Sequence, residues 1–172
     1  KITTYAYTGN ELLKTVTSGS VVKMYNYIPS GQENAGKLLN SSDNLKTTSY
    51  EYYTDGKLRK TNFDGIITEY EYNISGGIVE KTVTDNNGKR VIYTYNESGW
   101  LLRIFYESDR SEDKYEYDLN GNRVKLVRSK GSSSYEYVYV YDMLNRLKQV
   151  IYDGETPVIY DYDESGNIRR KN

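Results

Sequence analysis

The stretch Tyr115-Glu116-Tyr117-Asp118-Leu119-Asn120-Gly121-Asn122 decides the fold. Two tyrosines flank one residue, and a glycine follows four positions after the second tyrosine. The same doublet and glycine recur as Tyr50, Tyr52 and Gly56; Tyr70, Tyr72 and Gly76; Tyr93, Tyr95 and Gly99; and Tyr160, Tyr162 and Gly166. Looser copies are Tyr5 and Tyr7, Tyr25 and Tyr27 with Gly31, and Tyr139 and Tyr141 with Asn145 in the glycine place. Self-similarity at a period of roughly 22 residues predicts a repeat architecture, here of eight copies.

Each copy has the pattern of a β-hairpin. Alternate side chains of a strand share one face, so the two tyrosines of a doublet point to the same side. Asn-Gly and Asp-Gly dipeptides between alternating segments, such as Asn120-Gly121 and Asp153-Gly154, are strong hairpin signals. The sequence therefore predicts an all-β fold of antiparallel hairpin repeats. Because open sheets of more than about 10 strands curl, we expect a curved ribbon or part of a spiral shell.

The repeats run through the whole sequence. They are less regular over 1–49 and regular over 50–172, so we expect a single array of about eight repeats over 1–172. Copies reach both ends and the sequence starts at Lys1, so we also expect a fragment of a longer protein.

The charged residues also follow the repeat pattern. Glu51, Glu71 and Glu116 lie between paired tyrosines, and we expect a charged ladder behind a tyrosine ladder, with cations from the returning strands. Those cations are Arg59, Lys60, Lys81, Arg103, Lys125, Lys148 and Arg169.

Composition argues against several classes of function. The chain has 21 Tyr against 2 Phe and 1 Trp, which suits a thin, half-hydrated layer because a buried tyrosine hydroxyl needs a partner. It has no His and no Cys, which removes the commonest general base and the commonest metal ligands. The net charge is -1 and no apolar run is long enough to span a membrane. We therefore predict no enzyme, no catalytic residue, no cofactor, no nucleic-acid partner and no membrane span.

Two acidic patterns have a functional interpretation beside the plain one. Asp161 to Ile168 resembles the first eight positions of a calcium-binding loop, but Asn172 stands at the twelfth position, where a bidentate Glu is required. Neighbouring carboxylates such as Asp161 and Asp163, or Glu112 and Asp113, could in principle serve a glycosidase. Nothing distinguishes one pair from the rest, and repeat turns and solvated strands explain both patterns. We predict no metal site.

The repeat resembles the YD-repeat, or RHS-repeat, family. Tyr115 to Val124 and Tyr160 to Ile168 match the loose pattern Tyr-x-Tyr-Asp, two residues, Gly, and Tyr139 to Leu147 matches except at Asn145. The resemblance implies hairpins that spiral into a hollow shell, which encloses or displays a C-terminal segment in polymorphic-toxin, toxin-complex and teneurin-like proteins. Members are commonly exported or wall-associated, and carbohydrate binding has been attributed to the repeats. The family's self-cleaving region contains Asp-Pro, which this sequence lacks, so no catalytic residue carries over.

The sequence thus favours a structural module. We predict part of a β-shell or scaffold that encloses or displays another segment of a secreted or surface, toxin-like protein, with an extracellular or cell-wall location. The expected partners are the rest of its own polypeptide, including a possible C-terminal toxin segment. The alternative is a carbohydrate-binding surface module, with glycans as partners. A third interpretation is edge-to-edge self-association, because unpaired strand edges recruit other strands.

Overall fold

The computed structural model describes residues 2–171, with side chains through residue 169. These residues form strands and turns, with no helix in the described range. The strands are β1 (Thr3–Tyr7), β2 (Leu13–Ser18), β3 (Val21–Tyr27), β4 (Leu38–Ser42), β5 (Thr47–Tyr52), β6 (Leu58–Phe63), β7 (Ile66–Ser75), β8 (Ile78–Thr84), β9 (Arg90–Tyr95), β10 (Leu101–Tyr106), β11 (Ser111–Tyr117), β12 (Arg123–Lys130), β13 (Ser133–Tyr141), β14 (Leu147–Tyr152), β15 (Val158–Tyr162) and β16 (Ile168–Lys171).

The chain divides into two compact units. The first takes the chain up to Glu71 together with Val83–Gly88, and the second takes Tyr72–Thr82 together with the chain from Lys89 onward. In the first unit, each strand from β1 to β7 pairs antiparallel with its sequence neighbour. In the second unit, the same holds from β9 to β16. The predicted fold class, all-β with antiparallel hairpin repeats, is confirmed.

Two kinds of turn alternate along the chain. After the tyrosine doublet of β11, Asp118 N–H donates to Asn122 O at 2.9 Å and Gly121 N–H donates to Asp118 O at 3.1 Å. Gly121 has φ +83°, a conformation that costs an L side chain energy. At the other end of a hairpin, Asp153 and Gly154 both have positive φ, 47° and 75°. That is the primed two-residue turn whose twist matches the strands, as the Asp-Gly dipeptide predicts.

The second copy closes on a different glycine from the one its spacing predicts. Gly31 lies four residues after Tyr27, yet the hydrogen bonds that close the other turns are made here by Gly36. Gly36 N–H donates to Ile28 O and Ile28 N–H donates to Lys37 O, each at 2.9 Å. An inserted loop therefore extends the turn and leaves its closure intact, so the assignment of Gly31 to the glycine place is wrong.

A β-bulge accompanies the tyrosine doublets. In β11 and β12, Glu116 lies opposite Lys125 but Tyr117 lies opposite Arg123, which leaves Val124 as an extra residue. The corresponding shift occurs in the hairpins that begin with β1, β3, β5, β9, β13 and β15. The extra residue changes the alternation of the returning strand. As a result Arg123 lies on the tyrosine side, whereas Lys125 lies on the side of Glu116.

Neither unit has a large dry core among its described residues. Among the described residues only Leu126 and Asp113 are buried, with 8% and 5% of their surface exposed. The molecule exposes 11929 Å², whereas compact monomers of 172 residues expose roughly 8,700 Å². In each unit the described residues supply one layer of strands and no second layer against it. A single β-layer normally buries one face against something else, so a large apolar surface is left available.

Candidate functional site

The predicted repeat positions occupy equivalent places in the hairpins. The doublets Tyr50 and Tyr52, Tyr93 and Tyr95, Tyr115 and Tyr117, Tyr139 and Tyr141, and Tyr160 and Tyr162 each end a strand before its turn, and Tyr70 and Tyr72 lie within the longer β7. Gly56, Gly99, Gly121 and Gly166 follow with φ between 78° and 84°. Asn145 takes the same conformation at 58°, as does Glu11 at 61° in the first copy. Gly76 instead forms a tight turn with Gly77, both with positive φ.

In five of the doublets the second tyrosine binds the preceding repeat. Its hydroxyl donates to the backbone carbonyl of the residue that begins the previous returning strand. Five such bonds, at 2.7–2.9 Å, join Tyr27 to Leu13, Tyr52 to Leu38, Tyr117 to Leu101, Tyr141 to Arg123, and Tyr162 to Leu147. We call this bond the tyrosine latch. It gives the half-buried hydroxyl the partner it requires and ties successive hairpins together.

The aspartate after the doublet organises its own turn. Asp118 Oδ1 accepts hydrogen bonds from the N–H groups of Asn120 and Asn122, and Oδ2 accepts one from Asn122 Nδ2, all at 2.9 Å. Asp142 and Asp163 cap their turns in the same way. The hydrogen bond from the Asn122 side chain, and then those from backbone N–H groups, lower the pKa of Asp118 because they favour the charged carboxylate. In the sequence this aspartate stands out only as part of the family pattern.

The face opposite the tyrosines carries ion pairs, but with partners other than those expected. Lys60 pairs with Glu69 at 3.9 Å, and Arg103 pairs with Glu112 at 2.7 Å. Lys125 pairs with Glu136 at 2.7 Å, although Glu116 lies directly opposite it. Each of these cations thus pairs with an acid of the next repeat, and Lys60 and Lys125 do so although an acid of their own hairpin, Glu51 or Glu116, lies directly opposite. Such exposed pairs contribute little each, typically about 0.2–1 kcal/mol.

One ion pair lies on the tyrosine face of the second unit. Asp113 accepts bonds from Arg128 Nε and the neighbouring guanidinium nitrogen, both at 2.8 Å. Tyr135, directly opposite Arg128, stacks on Tyr152 with ring centres 6.2 Å apart, and Tyr137 lies 4.8 Å from the same ring. This cluster could not be predicted from the sequence, because its two charges are 15 residues apart and outside the repeat pattern. It fixes the register of β11 and β12 by a bidentate bond.

Tyrosines of successive repeats are separated by a side chain from the strand between them. In the seven hairpins whose register is described, the first residue of the returning strand lies opposite the second tyrosine, as Leu147 lies opposite Tyr141 and Leu58 opposite Tyr52. In β12 this residue is Arg123, whose guanidinium carbon lies 4.6 Å from the ring centre of Tyr139 and 5.8 Å from that of Tyr115. The tyrosine face is therefore a set of columns in which rings alternate with aliphatic or cationic side chains.

Three of the carboxylates considered for catalysis or metal binding have structural partners. Asp163 caps a turn, and Glu112 and Asp113 point to opposite faces, each held by an arginine. Asn172 lies outside the described residues. Within the described part of the chain, no group of three or more acidic, His or Cys side chains could hold a metal ion. Over the same range no helix is long and apolar enough to cross a membrane.

The chain is similar to pieces of much larger proteins. No protein-family model matches it. It is 30% identical over 142 residues to the tRNA3(Ser)-specific nuclease WapA of Bacillus spizizenii, a match that covers 79% of this chain and 6% of that protein. A chain in the crystal structure of TcdB2-TccC3-Cdc42 matches 94% of this chain with a TM-score of 0.63 and 16% identity, over 10% of its own length. The second likeness shows the fold alone. Both are consistent with an RHS/YD-repeat protein.

Proposed function

We propose that this array is wall material: part of a β-shell or scaffold that encloses or displays another segment of a secreted or surface, toxin-like protein. The observation that carries the proposal is that each unit has a tyrosine-rich face and that almost no described side chain is buried. Covering apolar surface with another layer stabilises the protein by about 25 cal/mol for each Å² removed from water. The covering layer in our proposal is another part of the same polypeptide.

The relation to WapA supports the extracellular or cell-wall location that we propose. We do not place the nuclease activity in that protein's name on these residues, because the match covers 6% of its length. The array has no His, and Asp163 and Asp113 serve a turn and an ion pair. In our proposal the array is not an enzyme, and any activity of the parent protein belongs to the segment that the array encloses or displays.

The carbohydrate-binding alternative gains no support from the described residues. A sugar platform needs aromatic faces with free polar groups beside them. Here five of the second tyrosines use their hydroxyls in the latch, and the residues between the rings are mostly leucines. The same face is suited to packing against polypeptide.

The proposal is tested by hydroxyl-radical footprinting of the 172-residue chain and of a longer protein that contains it. Tyr135 is 45% exposed on the tyrosine face, and Phe105 lies on the opposite face, where it serves as the control. Coverage of the tyrosine face predicts that oxidation of Tyr135 falls several-fold in the longer protein while that of Phe105 changes little. Equal oxidation of Tyr135 in both proteins would refute a covered face.

A further inference from the structure

Arg123 is an exception to the residue type with which the returning strands begin. The returning strands begin with an aliphatic residue at Leu13, Leu38, Leu58, Ile78, Leu101, Leu147 and Ile168, and only β12 begins with a charged one. The position lies opposite the second tyrosine, on the face that we propose is covered. A charged residue at a position that is otherwise apolar is a candidate for a function beyond folding.

The surroundings of Arg123 leave its hydrogen-bonding edge available. Its guanidinium lies between the rings of Tyr139 and Tyr115, and the side chain is half-buried. Stacking uses the two flat faces of a guanidinium, whereas its five N–H donors lie in the plane and point outward from the edge. No acceptor in the described part of the chain takes a hydrogen bond from these donors. The cation thus lies against two rings and has no anionic partner among the described residues.

Arg146 shows the same arrangement with the edge filled. Its guanidinium carbon lies 4.5 Å from the ring centre of Tyr162, and its Nε donates to Asp142 Oδ2 at 2.7 Å. A ring-stacked arginine with a bound carboxylate is therefore a motif that this chain already builds. Arg123 has the stack without the carboxylate.

We propose that Arg123 binds the carboxylate of an acidic side chain on an extended polypeptide that lies over the tyrosine face. This inference rests on the proposed function and names the chemistry of one contact. A bidentate carboxylate fits the edge of a stacked guanidinium. Charge complementarity favours an acid, because Arg128 on the same strand already has its partner in Asp113 and Arg123 remains uncompensated. The rest of the face, with Leu126 buried and the latch hydroxyls engaged, suits an otherwise apolar segment.

The test uses the ¹⁵N-labelled 172-residue chain and two peptides. The probes are acetyl-Val-Thr-Glu-Thr-Val-amide and the same peptide with Gln in place of Glu. The Arg123 Nε–H signal is assigned by its absence from the spectrum of Arg123→Leu, a substitution that restores the residue type of the other copies. Arg146→Leu is the matched control, since it removes a stacked arginine whose edge is already occupied.

We expect the Glu peptide to shift the Arg123 Nε–H signal and the Gln peptide to leave it in place. Loss of a charge-assisted bond predicts that Arg123→Leu weakens binding of the Glu peptide at least about tenfold, and that Arg146→Leu does not. Equal binding of both peptides, no binding of the Glu peptide, or unchanged affinity in Arg123→Leu would overturn the inference. D-glucuronate binding as tightly as the Glu peptide would reject the polypeptide source. Protection of Tyr135 in the footprinting experiment is independent of all these results, so the two proposals fail separately.

Discussion

The tyrosine latch predicts that the two tyrosines of one doublet differ in what their hydroxyls contribute. Tyr141 donates to the carbonyl of Arg123 at 2.9 Å, whereas the hydroxyl of Tyr139 has no hydrogen-bond partner in the described part of the chain. A part-buried hydrogen bond contributes about 1 kcal/mol net. Tyr141→Phe keeps the ring and removes only this bond. We expect it to destabilise the second unit by about that amount and to lower Tm by a few degrees.

Tyr139→Phe is the control, with an expected change close to zero. Urea denaturation reports the free energy, and hydrogen exchange reports where it is lost. A loss of about 1 kcal/mol corresponds to roughly fivefold faster exchange of amides in β12 and β13. Tyr117→Phe repeats the experiment at Leu101, to which Tyr117 donates at 2.8 Å. If Tyr139→Phe costs as much as Tyr141→Phe, the latch is not what stabilises the contact and the reasoning fails.

Alkaline pH tests the same group without a mutation. Burial raises the pKa of Tyr141 and of Tyr117, because desolvation penalises the phenolate. The sign follows from linkage: the stabilisation is complete below the unfolded pKa of about 10 and is lost as pH rises through the higher folded value. Unfolding followed by tyrosine absorbance should therefore become easier above about pH 10. A stability that stays flat through this range would contradict the role given to burial.

Three further predictions concern the turns and the edge. Hydrogen bonds lower the pKa of Asp118 in the folded chain. Its contribution to folding stability is therefore complete above the unfolded pKa of about 3.9 and is lost as pH falls through the folded pKa. Asp118→Asn should reduce the loss of Tm at acid pH in a series of melting curves. Gly121→Val should lower Tm more than Gly131→Val, because an added Cβ at Gly121 lies 3.1 Å from Trp100 while Gly131 has open space, and equal losses would contradict this. β1 exposes all five of its residues, so we expect dimers that form through this strand and increase with protein concentration in analytical ultracentrifugation. Ala6→Lys should reduce the fraction of dimer. An unchanged fraction of dimer would place the contact elsewhere.

The sequence predicted the elements that depend on local chemistry. Doublets such as Tyr115 and Tyr117 indicated strands, and Asp153-Gly154 indicated a primed turn, because alternation and positive φ are properties of the residues themselves. The bulge could not be predicted, because it is a property of the pairing between two strands. Its extra residues, such as Val124, Arg59 and Leu39, include both aliphatic and cationic side chains, so no residue type marks the position. The bulge then decided which returning side chains lie on the tyrosine face.

Of the candidate site, only the tyrosines could be predicted from the sequence. The tyrosines recur with a period that the sequence displays, but the acceptor of each latch is a backbone carbonyl, which every residue has. Arg123 looked like one more cation of a returning strand until the register placed it opposite Tyr117. The pairing of Asp113 with Arg128 was hidden for a related reason, since neither residue belongs to the repeat. Charges outside a periodic pattern become interpretable only when cross-strand neighbours are known.

The latch also explains why the rings are tyrosines rather than phenylalanines. A sheet without a second layer cannot bury large side chains completely, so the end of each ring is close to water or to a neighbouring backbone group. A tyrosine hydroxyl can hydrogen-bond to either, whereas phenylalanine has no such group. In the Tyr-Asp pair, Tyr117 reaches back to the preceding repeat while Asp118 closes its own turn. Adjacent residues thus divide the bonds between and within repeats, and each hairpin depends only on its neighbours. Stability in such an array is a sum of nearest-neighbour terms, so the exchange effect of Tyr141→Phe should fade within one repeat on either side.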